Sequence, residues 1–95
     1  MIYHQIKKKM KVMKKIDLSK VKIEGIDGKE IIIDVAKELA QVIFANTQSI
    51  EEHSFSMELY RDPVVELTDE VKGIIEKYID GYFKAYIKIA IKKML

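Results

Sequence analysis

The sequence predicts an α+β fold in which an N-terminal β-hairpin packs on three or four short α-helices. Three features carry that expectation. Asp27-Gly28 lies between two β-branched runs, a combination that favours reversal of the chain. Asp34, Ser49 and Thr68 each precede a stretch with apolar residues at helical spacing, where their side chains can accept from the free amides of a first turn. Asp62-Pro63 interrupts the chain between two such stretches, because proline cannot continue a helix and restricts the residue before it.

The hairpin is read in "KVKIEGIDGKEIIID", with Val21 and Ile23 on the first strand and Ile31 to Ile33 on the second. Two strands alone are marginal, so this pair must lie on helices or meet another chain. Three consecutive isoleucines predict a second strand covered at least in part on both faces. Asp34 then caps a helix beginning "VAKELAQVIFAN", whose core stripe is Ala36, Leu39, Ala40, Ile43 and Phe44, and Asn46 and Thr47 end it. Ser49 and Glu52 have the spacing of a capping box and open a second helix reaching Tyr60 or Arg61. Its expected buried set is Ile50, Met57 and Tyr60, with Phe55 or Leu59 alongside.

Val64 and Val65 read as an extended link. Thr68 caps a third helix whose first turn holds Asp69 and Glu70, favourable against the helix dipole. Val71, Ile74, Ile75 and Tyr78 face the core, and Gly81 is the natural place for a break or kink. The last segment, "YFKAYIKIAIKKML", fits two patterns. As a strand it alternates Ala85, Ile87, Ile89 and Ile91 with Lys84, Lys88 and Lys92; as a helix it gathers Phe83, Tyr86, Ile87, Ala90, Ile91 and Met94 on one broad face. The helix is preferred, because the segment exceeds a usual strand and lysines in a last turn complement the dipole.

At 95 residues the chain is near the small end of self-sufficient cores, so association can contribute to stability. The absence of cysteine excludes disulfides and thiolate metal sites and fits a reducing compartment, with the cytoplasm as the expected location. No apolar run approaches a membrane span, and lysines interrupt the apolar residues near the start, so neither a membrane partner nor a secretory signal is expected. The net charge of +2 conceals an asymmetry: residues 1–15 hold six lysines and no acid, residues 16–80 hold seven basic and fifteen acidic side chains, and residues 81–95 hold four lysines and no acid. An acidic body argues against nucleic-acid binding by the folded domain.

The order "MKKIDLSKVKIEGIDGKE", a helix rich in small residues, "MELYRD" and "VELTDEVKGIIEKYI" resembles small uncharacterised proteins of tailed phages and prophages of bacteria. The resemblance covers residues 13–95 and implies a hairpin with Asp-Gly-Lys at its turn followed by helices, in a phage or prophage context and without a catalytic motif. Met13 before "KKIDLSK" looks like an ordinary protein start. Residues 1–12 are therefore expected to be a flexible basic tail or an over-extended gene start, ahead of one compact α+β domain over residues 13–95.

Catalysis is not expected. His53 stands beside Glu51 and Glu52, but consecutive helical residues point apart, and metal ligation wants convergent side chains at i, i+3 or i, i+4. Ser49, Ser54, Ser56 and Thr68 offer hydroxyls for which His53 is the lone credible base, a weak option for Ser49 or Ser56, and Gly25 and Gly28 belong to a turn rather than a phosphate loop. No cofactor and no small-molecule substrate are inferred. The expected function is non-enzymatic protein–protein contact or self-association, through the hairpin edge and a C-terminal surface of Tyr82, Phe83, Tyr86, Ile87, Ile89, Ile91 and Met94. The alternative is a nucleic-acid accessory protein contacting phosphates through the basic N-terminal tail and the stripe Lys84, Lys88, Lys92 and Lys93.

Overall fold

A computed structural model of the chain describes residues 12–95, so the expectation for the N-terminal tail lies almost wholly outside the described residues. The fold is α+β. Its elements are β1 (Lys14–Asp17), β2 (Val21–Glu24), β3 (Glu30–Ile33), α1 (Ala36–Asn46), α2 (Ile50–Arg61), β4 (Val64–Leu67), α3 (Asp69–Tyr82) and α4 (Ala85–Met94).

The strands form two antiparallel ladders. β2 and β3 make the expected hairpin, with Val21 opposite Ile33 and Glu24 opposite Glu30. Its turn is a three-residue loop: Gly28 N–H donates to Gly25 C=O at 3.0 Å, and Gly28 has φ +85°. Glycine takes that left-handed conformation without strain, and the arrangement matches a type I turn followed by a bulge. Asp27 Oδ1 accepts from Lys29 N–H, so the aspartate closes the turn with its side chain.

The second ladder was not anticipated. Val64 and Val65, read above as a link, belong to β4, which pairs with β1 through Ile16 opposite Val65 and Lys14 opposite Leu67. Asp17 terminates β1 by accepting from both Ser19 N–H and Ser19 Oγ at 3.0 and 2.6 Å, and these bonds hold its carboxyl below the ordinary range. The next residue, Leu18, is fully buried. Its N–H donates to Pro63 C=O and its C=O accepts from Val35 N–H, at 2.9 and 3.0 Å.

The helix starts follow the predicted caps with one shift. Thr68 Oγ1 accepts from Val71 N–H at 3.1 Å, and Ser49 Oγ accepts from Glu52 N–H at 3.2 Å. Asp34 lies one position before the N-cap, which is Val35, yet its Oδ1 still accepts from Ala36 N–H at 2.9 Å. α3 runs through Gly81 to Tyr82, and the break falls at Phe83 and Lys84. The last segment is helical from Ala85.

One core collects Ile16, Leu18, Val21, Ile23, Val35, Leu39, Ile43, Leu59, Leu67, Ile75, Ile79 and Ile91. α1 buries Ala36, Leu39, Ala40 and Ile43 as expected, but Phe44 is exposed, with its ring 5.1 Å from that of His53. α2 is rotated from the expected face: Ile50, Met57 and Tyr60 are exposed while Ser56 and Leu59 are buried. α2 packs closely on α1, which buries two alanines, and the small Ser56 is among the residues α2 buries. Ser56 is buried without loss because its hydroxyl donates to His53 C=O at 2.6 Å.

Ile43 is fully buried among α1, α2 and the rest of the core, so Ile43→Ala should lower the unfolding free energy by about 3 kcal/mol. Ile50→Ala, at a position the helical pattern had placed inside, should change it by less than about 0.5 kcal/mol. Urea denaturation of the two variants beside the parent chain measures both.

Candidate functional site

β3 is an open edge. Gly25 N–H donates to Lys29 C=O at 2.8 Å, which fixes the alternation of the ladder. Ile23–Ile31 and Val21–Ile33 are then the hydrogen-bonded pairs, and Glu30 and Ile32 turn their N–H and C=O groups away from β2. No strand meets those groups among the described residues. The side chains are as unusual as the backbone: Ile31 is 59% exposed and Ile32 62% exposed, although they point to opposite faces. The expectation that both faces of this strand are covered is therefore overturned. Ile33 alone tucks against the core, and β2, not β3, receives α4.

The C-terminal surface is smaller than the sequence suggests. Ile91 is fully buried and belongs to the core, because α4 presents Ala90 and Ile91 to the body of the protein. Phe83, Ile87 and Met94 pack on that core and are half-buried. Tyr82, Tyr86 and Ile89 remain exposed, with the Tyr82 ring 6.2 Å from and nearly parallel to that of Tyr78. The lysine stripe is partly neutralised: Lys92 Nζ and Lys88 Nζ lie 2.9 and 3.7 Å from Asp80 Oδ1, while Lys84 and Lys93 are exposed. The Lys92 bond lowers the Asp80 pKa and Asp80 raises that of Lys92, but so exposed a pair adds little stability.

The densest polar cluster centres on Glu52, which the sequence marks only as a capping residue. A reciprocal capping box would have its carboxylate accept from Ser49 N–H. Instead Thr47 Oγ1 accepts from that amide at 2.9 Å and donates to Glu52 Oε1 at 2.7 Å. Tyr78 O–H donates to the same oxygen at 2.6 Å, and Lys77 Nζ lies 2.8 Å from Oε2. Hydrogen bonds from Lys77, Tyr78 and Thr47 lower the Glu52 pKa from 4.5 to about 2. The carboxylate accepts three side-chain hydrogen bonds that tie the loop between α1 and α2 to α3, so its role is structural.

Three of the four hydroxyls weighed as nucleophiles are in similar structural bonds: Ser49 and Thr68 cap helices and Ser56 is turned to a backbone carbonyl, while Ser54 is exposed. Among the described residues no three His, Cys, Asp or Glu side chains converge as metal ligands, and no helix is long and apolar enough to cross a membrane.

The Glu52 cluster gives a pH signature. Because its carboxyl titrates lower in the folded chain than in the unfolded one, its contribution is complete above pH 4.5 and is lost as pH falls toward about 2. Glu52→Gln should cost about 2 kcal/mol at neutral pH, with the difference from the parent shrinking across that acid window. Denaturation curves of both proteins from neutral to acid pH measure it, and a difference constant with pH would refute the assignment. No family model, curated protein or solved structure matches this chain.

Proposed function

We propose that this chain is a small non-enzymatic interaction protein that self-associates through the edge of β3. The supporting observation is a strand edge whose Glu30 and Ile32 amides meet no strand among the described residues and that also exposes more than half of both Ile31 and Ile32. A two-stranded ladder is marginal alone, and isoleucines on both faces of an open edge are the feature that soluble proteins otherwise suppress with charge or proline. A second copy adding its own β3 satisfies backbone and side chains together, by strand addition.

Charge selects the register. Outward-facing residues must meet one another, which leaves few two-fold antiparallel arrangements. Centring on Glu30 sets two glutamates directly opposite, and centring on Ile32 sets Glu30 against Asp34. Centring on Ile31 pairs Glu30 with Ile32 of the second copy and stacks the two Ile31 side chains, with no like charges opposite. That register gives a four-stranded sheet from two hairpins.

The exposed Tyr82, Tyr86 and Ile89 form a secondary apolar surface. Phosphate binding is the weaker reading, since Asp80 occupies two of the four lysines proposed for it. The resemblance of residues 13–95 to small phage and prophage proteins is the basis on which we place the activity among the accessory functions of such genomes, in the bacterial cytoplasm.

Ile32→Lys keeps a residue compatible with a solvent-exposed strand but places a charge in the paired edge. Size exclusion with light scattering should show a dimer for the parent chain and at least about a tenfold weaker dimer for the variant, with unchanged circular dichroism. A parent chain that stays monomeric at high concentration, or a folded Ile32→Lys that stays dimeric, would sink the proposal.

A further inference from the structure

A second surface lies away from the β3 edge. An open groove of about 880 Å³ runs between α2, β4 and the first half of α3, with Lys15 of β1 at one side. Its floor is apolar: Val65 is buried, and Phe55, Val71 and Ile74 are half-buried against the core. Ile50 and Val64 add exposed apolar surface on the walls. The rim is acidic, with Glu51, Glu58, Asp62, Glu66 and Glu70 against only Lys15 and Arg61. None of those five carboxylates is in an ion pair among the described residues, whereas Glu52 and Asp80, outside the groove, both are.

From this pairing of floor and rim we infer that the groove binds a basic amphipathic segment of a protein partner, docked as a helix. A helix laid in a groove places one apolar stripe on the floor and its flanking residues along both edges. Lysines and arginines flanking that stripe meet the unpaired carboxylates, and charge complementarity steers the encounter and sets partner choice. Phosphate-bearing partners are repelled by the same rim. A polypeptide fits better than a small molecule, because the groove is open and runs across three elements.

The test uses a fluorescein-labelled helical peptide of leucine and lysine in amphipathic order, about four turns long, titrated with the full chain at about 0.1 M salt and read by anisotropy. Saturable binding is expected, at least about tenfold weaker for a Glu58→Lys, Glu66→Lys variant and changed less than about threefold for Glu24→Lys, Glu38→Lys, which alters net charge equally outside the groove. A peptide of the same composition in scrambled order should bind at least about tenfold more weakly, since it cannot align apolar residues with the floor. Equal losses in the two charge variants, equal binding of the scrambled peptide, or no binding would each overturn the inference. The full chain with Lys7, Lys8, Lys9 and Lys11 changed to Gln should bind the peptide unchanged. A gain of about tenfold would mean that the groove's occupant is this chain's own N-terminal segment, which would also overturn it.

Discussion

Leu18 holds the two halves of this protein together. Among the described residues neither of its ladders has more than two strands, and strands of four residues in pairs do not persist alone in water. Leu18 sits at the turn joining β1 to β2, its side chain fully buried, its amide bonded to Pro63 before β4 and its carbonyl bonded to Val35 at the entry to α1. One residue therefore sets the spacing of both ladders and the start of the first helix. Deleting its side chain leaves a cavity where the elements meet, yet the two backbone bonds would remain, so the loss falls on packing rather than on the hydrogen-bond pattern.

The helices are oriented by polar as well as apolar contacts. α2 could bury Ile50, Met57 and Tyr60, a set that looks more apolar than the one it does bury. The face containing Glu52, Ser56 and Leu59 wins because each of its polar groups finds a partner: Glu52 reaches Thr47, Lys77 and Tyr78, and Ser56 reaches a backbone carbonyl. Lys77 is 59% exposed and its ion pair is correspondingly weak, whereas Glu52 is 14% exposed, so the bonds from Thr47 and Tyr78 carry most of the specificity. They fasten the loop between α1 and α2 to the third helix, and that contact leaves Ile50 free for the groove wall.

Local signals were legible and long-range ones were not. The Asp27-Gly28 turn, the caps at Ser49 and Thr68 and the helical character of the C-terminal segment all follow from chemistry within a few residues. The β1–β4 ladder joins residues about fifty positions apart, and "KKID" has too little apolar alternation to announce a strand. The face of α2 depended on Tyr78 and Lys77, which lie on another helix. Ile91 could not be separated from Ile89 by periodicity, since both lie on an apolar arc wider than the contact that α4 makes. Of the candidate interaction surface, the hairpin edge was legible in outline, but the exposure of Ile31 and Ile32 was not, because three isoleucines in a row read as burial. The acidic rim of the groove assembles from α2, β4 and α3 and is invisible as a cluster in the chain.

The two surfaces differ in physics, and salt separates them. The proposed pairing of β3 edges would rest on backbone hydrogen bonds and apolar contact between isoleucines, with residues 16–80 of the two copies, acidic in sum, opposing it at longer range. Added salt screens that repulsion and should strengthen the pairing. The inferred docking of a basic segment into the groove would draw on five carboxylates that are in no ion pair among the described residues, so the same salt should weaken it. The opposition makes the ionic strength a control variable: a dimer that tightens while peptide binding loosens locates the two contacts on different surfaces of one chain. If both moved in the same direction, charge on the rim could not be what drives peptide docking, since no residue of β3 lines the groove.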